Sequence, residues 1–536
     1  MIVKQLFLDD SGQKKLKSGI KKISGAVKST LGPGGHTVLL ESENEIGGFR
    51  VTKDGVTVAR SIALYDPVEN LAVQMMQEGS IETAKTAGDG TTTAIVLTEA
   101  ILDGSDLVFD KSISMTKLIS QINNITDYVV DEISKKSIKV TGKRLVDVAT
   151  VSANNDPVLG KLIAGAYKKV NHVTVADSPT NDTYSEIIEG IKIDRGYSSK
   201  HQITNEEKEE AVLSMPYILV SDIEIKNLHH LEGIFRHAMQ NARPLFIIAN
   251  MTSEAMQAFN LNVGKKVIKA CHIMPPSFGI RKTDMLRDIA TAVGAVFYSE
   301  DTGDNMEAIT PEGLGEANKI IASVDKTVVI CNKDTEAEAA TDDLIVKLKK
   351  QLAETTNYRE RDFLKERIAN ISGGVGVIYV GANSPIEQKE KLDRVDDAVK
   401  AVASAIEEGV IAGGGIQLYN IARKLIVKYV TDDSADDAMA LKIMAYALLA
   451  PLSQIIVNAG EDVKEVISFL EETDTDSSIG LNIKTGEYGD MLKMGIIDPA
   501  KVTKTALKNA VSVATTILST EVIITNMRDN AVQATE

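Results

Sequence analysis

The segment AGDGTTTAIVL, residues 87–97, places a carboxylate, two glycines and three adjacent hydroxyls directly before an apolar run. The run predicts a helix that begins at the threonines, Thr91–Thr93, and the first amide groups of a helix have no partner within it. Such a helix end binds anions such as phosphate, and Gly88 and Gly90 allow the backbone to come close. Asp89 suits Mg²⁺, which prefers carboxylate and phosphate oxygens. Taken alone, the motif is explained better by an ordinary aspartate N-cap.

Two further glycine-rich turns are candidates for phosphate binding. STLGPGG, residues 29–35, follows a predicted helix, and EEGVIAGGG ends in three glycines, Gly413–Gly415. A helix C-cap with a proline stop explains the first, and a flexible linker explains the second. Turn chemistry likewise explains Asp54 and Asp498. The pattern GxxxxGK[ST] does not occur in the sequence, which excludes a P-loop ATPase.

Length and composition predict a soluble protein of several domains. The 536 residues are too many for one core, and 43% hydrophobic with 25% charged residues is typical of globular chains. The 59 basic and 75 acidic residues give a net charge of -16, which predicts neither nucleic acid nor a membrane surface as a partner.

The cysteines and apolar segments bear on location. Only Cys271 and Cys331 are present, which excludes a disulfide framework and a four-cysteine zinc site and favours the cytoplasm. The N-terminus, MIVKQLFLDD, lacks the apolar region of a secretory signal. The most apolar segment, MAYALLAPLSQIIV, is short and interrupted by Pro451, so no membrane helix is expected.

Up to about residue 135 the sequence predicts a mainly helical chain. The residues at helical spacing in its first helix are Leu16, Ile20, Ile23, Val27 and Leu31. HTVLLES predicts a strand, and FRVTKDGVTVA predicts a hairpin that turns at Asp54 and Gly55. Asp66 is a predicted N-cap, with Pro67 in the first helical position and Glu69 completing a capping box.

The middle of the chain has a different pattern. From about 189 to 373, short β-branched runs alternate with amphipathic segments, which predicts an α/β domain. A helical hairpin is expected from apolar residues at helical spacing, namely Leu344, Leu348, Leu352, Leu364 and Ile368. Gly190 at one end and Gly373–Gly374 at the other offer the backbone freedom of a hinge. Helical patterns return after about 409.

Seven motifs taken together indicate a family. They are LGPGG, VTKDGVTVAR, AGDGTTTA, RVDDAV, EEGVIAGGG, TGEYGDM and MGIIDPAKVTKTAL. Their order and spacing resemble those of the group I chaperonins, the bacterial Hsp60 family, over essentially the whole chain. The resemblance implies a divergent member of an ATP-driven protein-folding family, built as stacked rings that usually hold seven subunits each.

The resemblance also implies a three-domain architecture of mixed α and α/β type. A mainly helical equatorial ATP-binding domain takes residues 1–135 and 409–536. A small α/β intermediate hinge domain takes 136–188 and 374–408, and an α/β apical substrate-binding domain takes 189–373. The helical, α/β, helical order of the sequence pattern agrees with this division.

Site residues follow from the motifs that match. The resemblance implies that Asp397 orients the attacking water with help from Asp54, and that Asp89 holds Mg²⁺. The residues implied for the nucleotide and its ions are Thr30, Leu31, Gly32, Pro33, Lys53, Asp89, Gly90, Thr91, Thr92, Thr93, Gly414, Asn482, Ile483 and Asp498. K⁺ is expected near Thr30 and Lys53. Positioning and charge neutralisation would supply most of the rate of phosphoryl transfer.

The implied apical surface departs from the family pattern. The residues expected to bind substrate are Tyr197, Leu231, Phe235, Met256, Phe259 and Leu261, although each of the apolar ones is equally compatible with packing inside the domain. His201 and Gln202 stand where the family usually has aromatics, and Glu232 replaces an apolar residue. Loss of two aromatics predicts weaker capture of clients and of a co-chaperonin. Other departures are Gly34 and His36 in place of basic residues, and Ile483 and Lys484 in place of small ones.

Three function hypotheses remain open. The first is an ATP-hydrolysing chaperonin for non-native proteins, the second a ring-forming ATPase scaffold with reduced client binding, and the third a metabolic kinase with an unusual phosphate loop. His229, His230 and His237 lie on one predicted helix, but no carboxylate or cysteine completes a convincing zinc site.

Overall fold

The computed structural model describes residues 4–7, 10–41, 48–108, 114–153, 156–170, 172–178, 180–188, 190–206, 209–277, 279–331, 335–355, 357–372, 374–431 and 437–526. The predicted hinge residue Gly373 lies outside the described residues. The polar C-terminal segment MRDNAVQATE lies outside them as well.

The helices are α1 (Asp10–Lys28), α2 (Gly55–Ser61), α3 (Pro67–Ala87), α4 (Thr91–Val108), α5 (Met115–Lys136), α6 (Lys143–Ser152), α7 (Pro157–Tyr167), α8 (Glu232–Gln240), α9 (Ser253–Gly264), α10 (Ile280–Ala292), α11 (Thr335–Glu354), α12 (Tyr358–Ser372), α13 (Pro385–Glu408), α14 (Ile416–Thr431), α15 (Ala438–Ala459), α16 (Val463–Glu471), α17 (Met491–Met494) and α18 (Ala500–Leu518).

The strands are β1 (Lys4–Phe7), β2 (Val38–Glu41), β3 (Phe49–Thr52), β4 (His172–Asp177), β5 (Tyr184–Ile188), β6 (Gly190–Ile193), β7 (Ala211–Ser214), β8 (Tyr217–Ser221), β9 (Leu245–Ile248), β10 (Ala270–Ile273), β11 (Phe297–Tyr298), β12 (Gly315–Ala322), β13 (Thr327–Cys331), β14 (Val375–Val380), β15 (Val410–Ala412), β16 (Ile479–Asn482), β17 (Glu487–Asp490), β18 (Ile497–Pro499) and β19 (Ile523–Asn526).

The chain forms two compact units. The first contains Met1–Ala164, Pro179–Asn181 and Val380–Glu536, and the second contains Gly165–Ser178 and Asp182–Tyr379. This confirms that both ends of the chain build one unit around a separate middle. A distinct intermediate domain is not resolved by the division into two units, so the boundaries given for it stay a prediction.

The core of the first unit is helical. Helices α1, α3, α4, α5, α14, α15 and α18 pack on one another through apolar faces. Four residues of the predicted stripe on α1, namely Leu16, Ile20, Ile23 and Val27, are buried as expected, whereas the helix ends at Lys28 before Leu31 is reached. Strands β1 and β19 pair antiparallel, Phe7 opposite Ile523, and so join the two ends of the described chain.

The hairpin predicted to turn at Asp54 and Gly55 is wrong. Strand β3 ends at Thr52 and pairs with β2 before it. Asp54 is instead the N-cap of α2, because its carboxylate accepts from the backbone of Val56 and Thr57 at 3.1 and 2.8 Å. An aspartate before a glycine serves a helix start as well as a turn, and packing on the helical core decides between them.

The helix start at Asp66 is confirmed in part. The Asp66 carboxylate accepts from the backbone of Val68 and Glu69, and Pro67 follows it in the first helical position. The Glu69 side chain, however, bonds to Ser18 at 2.7 Å and Lys22 at 2.6 Å on α1 rather than closing the predicted capping box. A helix-to-helix contact has replaced the local one.

Helix α15 corrects the prediction of a short segment interrupted by proline. It runs for 22 residues with Pro451 inside, and it is long and apolar enough to cross a membrane by length and composition alone. Much of its surface is covered within the first unit, where Leu441, Met444, Leu448 and Ile456 belong to the apolar core. Burial of these side chains identifies it as a core helix that tolerates the proline.

The second unit is α/β, as predicted. Its main sheet has the order β10-β9-β8-β12-β13-β6, with β11 beside β8 and β7 beside β12, and a smaller sheet has the order β4-β14-β5. Apolar clusters cover both faces of the main sheet. The predicted helical hairpin is α11 with α12, packed through Leu348, Leu364 and Ile371. Gly190 begins β6, where a Cβ would lie 2.7 Å from the Val329 carbonyl oxygen, so close packing already explains this glycine.

Candidate nucleotide-binding site

One cavity in the first unit gathers the residues expected around a nucleotide. Its volume is about 770 Å³, in the range of small-ligand sites. The predicted residues that line it are Thr30, Leu31, Gly32, Pro33, Lys53, Asp54, Asp89, Gly90, Thr91, Thr92, Thr93, Asp397, Gly414, Asn482, Ile483 and Asp498. Side chains far apart in sequence therefore meet around a single space.

The turn predicted to bind phosphate, Gly88–Gly90, lies between α3 and α4 and is called the phosphate-type turn below. Gly88 ends α3 with φ of 81°, and Gly90 has φ of 90°, a left-handed conformation that favours glycine. The Asp89 carboxylate accepts from the backbone N–H of Gly90, and α4 begins at the next residue. The unpaired amides of the first turn of α4 therefore lie at the cavity, as the sequence predicts, together with the hydroxyls of Thr91–Thr93.

The turn after α1 is held by a residue that the sequence did not single out. Asn458, in α15 and 8% exposed, donates from Nδ2 to the carbonyl oxygens of Lys28 and Leu31, each at 2.8 Å. Gln454 donates to the Asn458 Oδ1 at 2.8 Å and so fixes the amide. These bonds satisfy carbonyls that the end of α1 leaves open and position the segment from Thr30 to Pro33.

Asp498 is placed by pairing between distant strands. Strands β15 and β18 are antiparallel with Ile411 opposite Asp498, and the glycine turn Gly413–Gly415 follows β15 directly. A Cβ on Gly413 would lie 3.0 Å from the Asp498 Oδ1, so glycine permits this approach. Burial, and next the Asp89 charge, raise the pKa of Asp498 to about 6, although the backbone N–H of Gly414 donates to it and opposes the rise.

A tight turn carries Asn482 and Ile483 into the cavity. Asn482 ends β16, its carbonyl oxygen accepts from Thr485 and Gly486 at 3.1 and 2.8 Å, and its side chain accepts from the backbone of Lys484 at 3.1 Å. Ile483 packs against the apolar cluster of this region. The turn thus presents an amide and an apolar side chain next to the same space.

Helix α13 brings Asp397 to the cavity and is fastened to the phosphate-type turn. Ser404 on α13 donates to the Ala87 carbonyl oxygen at 2.8 Å, and Lys501 pairs with Glu407 at 2.7 Å. A Cβ on Gly88 would lie 2.2 Å from the Cβ of Lys400, so α13 touches the turn where only hydrogen fits. In this structure α13 is docked against the Asp89 turn.

The carboxylates around the cavity repel one another. Burial, then the Asp54 and Asp89 charges, hold the pKa of Asp397 well above its usual range. Burial, then Asp54, also raise the pKa of Asp89. Each side chain keeps part of its surface open to the cavity, but the surrounding protein removes most of its water. A cation beside Asp89 would offset this mutual repulsion.

Asp54, Lys53 and Thr30 fit their expected places to different degrees. The Asp54 carboxylate is engaged as the N-cap of α2 and also accepts from the Thr57 hydroxyl at 2.6 Å, so it has a fixed direction. Lys53 is exposed at the cavity. The Thr30 hydroxyl donates to the Val27 carbonyl oxygen at 2.8 Å, which leaves its lone pairs for a cation.

The cavity contains residues that sequence reasoning missed. They include Val151, Ser152, Lys389, Arg394, Gly415, Ile455, Ile496 and Thr503. Gly415 belonged to the quoted glycine motif, so the motif was a sufficient signal for it. The spacing of Arg394, three residues before Asp397, was a second readable signal. The remaining residues come from segments whose arrangement depends on tertiary packing.

The structure corrects part of the predicted apical surface in the second unit. Leu231 and Phe259 are both 0% exposed and belong to the core, so they do not form the exposed apolar rim that was predicted. Phe235 and Met256 are half-buried against the same core, while Leu261 is 57% exposed. Tyr197 is half-buried.

The structure explains why a glutamine stands at position 202, which the sequence did not show. It is 1% exposed, donates to Asn260 at 2.9 Å and accepts from the His272 backbone N–H at 3.0 Å. It therefore joins the 3₁₀ turn Lys200–Gln202 to α9 and β10. His201 beside it is exposed, and so is Glu232, which pairs with Arg236 at 2.7 Å.

The three histidines considered for zinc do not share one helix. His229 and His230 lie in the 3₁₀ turn Leu228–Leu231, and His237 lies in α8. His229 approaches Glu232 at 3.1 Å, and the His237 ring contacts the Asn241 amide at 3.2 Å. Within the described ranges, no three histidine, cysteine or acidic side chains cluster closely enough to hold a metal.

Comparison with known proteins extends these observations. The family model for the TCP-1/cpn60 chaperonin family matches residues 23–528. A crystal structure of the chaperonin gp146 from bacteriophage EL 2 (Pseudomonas aeruginosa) with ATP-BeFx, crystal form II, is similar at a TM-score of 0.68 and 21% identity, covering 98% of this chain and 99% of that one. Crystal form I of gp146 gives 0.62 and 22%, with the same coverage. The chain has the chaperonin fold and belongs to the TCP-1/cpn60 chaperonin family.

Proposed function

We propose that the protein is an ATP-hydrolysing chaperonin that captures non-native proteins on an apolar apical surface and promotes their folding through nucleotide-driven domain movement in a ring. The observation that carries the proposal is the convergence of Asp89, Asp397 and the N-terminus of α4 around one cavity. The ATP analogue in the gp146 crystals supports nucleotide binding by a relative with the same fold. The proposal assigns a chemical role to each predicted residue at the cavity.

Binding of the triphosphate rests on backbone groups and hydroxyls. The amides at the start of α4, together with Thr91–Thr93, donate to phosphate oxygens. Asp89 holds Mg²⁺, which neutralises phosphate charge and offsets the repulsion between the carboxylates. K⁺ is proposed near Thr30 and Lys53. The turn at Asn482 and Ile483 lies by the base, and Gly414 and Asp498 lie by the ribose.

Hydrolysis depends on Asp397. A carboxylate whose pKa is raised by burial and by neighbouring acids is a stronger proton acceptor, which suits it to orient a water and take its proton. Asp54 assists by its charge, since its carboxylate direction is fixed by α2. Because Asp397 reaches the cavity only when α13 is docked, hydrolysis becomes conditional on the position of α13.

Client capture is proposed for exposed apolar side chains of the second unit. Leu261 is 57%, Val267 56% and Met239 51% exposed. Such side chains bind non-native chains by removing apolar surface from water without reading sequence. A homo-oligomeric ring, seven subunits in each ring, a co-chaperonin and a cytoplasmic location complete the proposal on the strength of the family.

The decisive experiment separates nucleotide binding from turnover. Asp397→Ala should keep ATP binding within about threefold and lower kcat by at least about a hundredfold, because only the transition state loses its water-orienting group. ATP binding and phosphate release are measured on the assembled protein. Asp194→Asn, an exposed carboxylate of the second unit with 71% of its side chain accessible, is the matched control. Unchanged turnover in Asp397→Ala would remove the mechanism.

A ring-forming ATPase scaffold with reduced client binding is the second candidate. Burial of Leu231 and Phe259, the buried Gln202 and the charged Glu232 favour it, because they reduce the apolar surface that clients could contact. A refolding assay with a chemically denatured client separates the two functions. A scaffold hydrolyses ATP without rescuing the client, whereas a chaperonin raises the refolded yield in an ATP-dependent way.

A further inference from the structure

One face of α13 lines the cavity over more than two turns. The cavity-lining residues of this helix are Pro385, Lys389, Glu390, Asp393, Arg394 and Asp397. Side chains three or four positions apart lie on one helical face, with Cβ atoms roughly 5–6 Å apart. Arg394 therefore points into the same space as Asp397 and is carried by the same helix.

Arg394 differs from the other basic side chains at the cavity. Among the cavity-lining residues that the structure describes, Lys53, Lys389 and Lys484 are exposed, whereas the Arg394 side chain is 26% accessible. A charge that water screens less acts more strongly on a neighbouring charge. Arg394 is thus the cation best placed to act on a phosphate inside the cavity.

The present partner of Arg394 is a weak one. Its guanidinium pairs with Glu390 one turn earlier on α13, and 46% of the Glu390 side chain is accessible. Partly exposed pairs of this spacing contribute little to stability. A phosphoryl group, with more charge and a geometry that a guanidinium matches through two hydrogen bonds, would displace the carboxylate.

We propose that Arg394 contacts the γ-phosphate of ATP when α13 is docked, and that it stabilises the charge on the phosphoryl oxygens during hydrolysis. In that step a water oxygen bonds to the γ-phosphorus. The bond from this phosphorus to the β,γ-bridging oxygen breaks, and its electron pair leaves with ADP. Asp397 takes the proton that the water loses and returns it to solvent, while Arg394 keeps its protons throughout.

The inference rests on the proposed ATPase function and deepens it. Docking of α13 would deliver a proton acceptor and a cation together, so that neither group acts without the other. The contacts of Ser404 with Ala87 and of Lys501 with Glu407 hold α13 in the position required.

The test compares nucleotide states on the full-length assembled protein. Arg394→Ala should lower kcat by at least about tenfold, as removal of a donor to developing charge does. Its affinity for ADP should stay within about threefold, while its affinity for ADP with aluminium fluoride, which mimics the transferring phosphoryl group, falls by about as much as kcat. Arg394→Lys should recover part of both losses, since it keeps the charge without the planar fork.

Two further variants make the result decisive. Arg236→Ala removes an exposed arginine that also pairs with a glutamate one turn earlier, in the second unit, and should leave both nucleotide affinities unchanged. Glu390→Gln should raise affinity for ADP with aluminium fluoride relative to ADP alone. Equal losses of both affinities in Arg394→Ala, or an unchanged kcat, would overturn the inference. Failure of the wild-type protein to bind or hydrolyse ATP would instead remove the proposed function.

Discussion

The hydroxyl of Ser404 donates to the carbonyl oxygen of Ala87 at 2.8 Å, which joins α13 to the last residue of α3. Ser404 lies about two turns after Asp397 on α13, and Ala87 lies two residues before Asp89. The bond is buried, with Ser404 5% exposed. The proposed water-orienting group and the proposed magnesium ligand are therefore held together by a contact that belongs to neither.

Gly88→Ala should separate these groups. A Cβ there would lie 2.2 Å from the Lys400 Cβ, so α13 must move away, and kcat should fall several-fold. The positive φ adds about 1–2 kcal/mol of strain. Gly460→Ala is the matched control, because Gly460 also ends a helix with φ of 79° but has open space around its Cβ position. Thermal unfolding should respond to both variants and turnover only to Gly88→Ala; equal turnover in both would contradict the docking argument.

Asn458→Ala should loosen the turn from Thr30 to Pro33. The Leu31 carbonyl oxygen loses its donor, the Lys28 carbonyl oxygen keeps only its bond from the Leu31 N–H, and an unpaired buried group costs about 1–3 kcal/mol. The KM for ATP should rise several-fold with a smaller change in kcat. Asn420→Ala removes a similarly buried amide that does not line the cavity and donates to the Ser477 carbonyl oxygen at 2.8 Å. This variant should lose stability without a change in KM. An unchanged KM would show that the turn positions itself.

Asp498→Asn should change how stability depends on pH. The pKa of Asp498 in the folded protein, about 6, lies above the ordinary 3.8. The stability that the folded wild-type protein gains from protonating Asp498 is therefore complete below pH 3.8 and is lost as pH rises through 6. The nucleotide-free variant should therefore gain about 1 kcal/mol over wild type between pH 5 and pH 7.5, allowing for water in the cavity. Urea unfolding at the two pH values measures it.

The control for the pH prediction has the opposite shift. Lys424 and Lys136 lower the pKa of Asp476 to about 2, so its stabilisation is lost only as pH falls toward that value. The difference in unfolding free energy between Asp476→Asn and wild type should therefore be the same at pH 5 and pH 7.5. A flat profile for Asp498→Asn as well would mean that the cavity solvates this carboxylate fully.

Restoring aromatics at the two apical departures should give opposite results. His201→Tyr alters an exposed side chain, so stability should stay within about 0.5 kcal/mol and client retention should rise. Gln202→Tyr removes the bonds to Asn260 and His272 and overfills a buried position, which costs about 1–3 kcal/mol. Thermal unfolding and suppression of client aggregation test both. A well-folded Gln202→Tyr protein would show that the polar contacts are dispensable.

Local chemistry made much of the fold readable from the sequence. The stripe on α1, the N-cap at Asp66 and the helical hairpin of α11 and α12 follow from periodicity and capping, which act within a few residues. The hairpin at Asp54 failed because the same dipeptide starts a helix when a core lies beneath it. Burial of Leu231 and Phe259 was equally unreadable, since an apolar residue on one helix face packs inward or outward according to its neighbours.

The candidate site shows the same division. The motifs around Asp89 and Asp498 were recognisable from their order along the chain, and their glycines, threonines and aspartates do line one cavity. Asn458 could not be foreseen, because its two acceptors lie at Lys28 and Leu31 and only the packing of α15 on α1 brings them together. Gln202 looked like a lost aromatic until its partners were known.

The pairing of β1 with β19 has a consequence for how the protein is made. Phe7 pairs with Ile523 only after the ribosome has added all the residues between them, whereas the second unit, whose two segments lie close together in sequence, can fold as soon as it emerges. During most of its synthesis, the nascent chain therefore exposes apolar helical surface of an incomplete first unit. A protein proposed to shelter others would itself pass through the condition that its clients suffer.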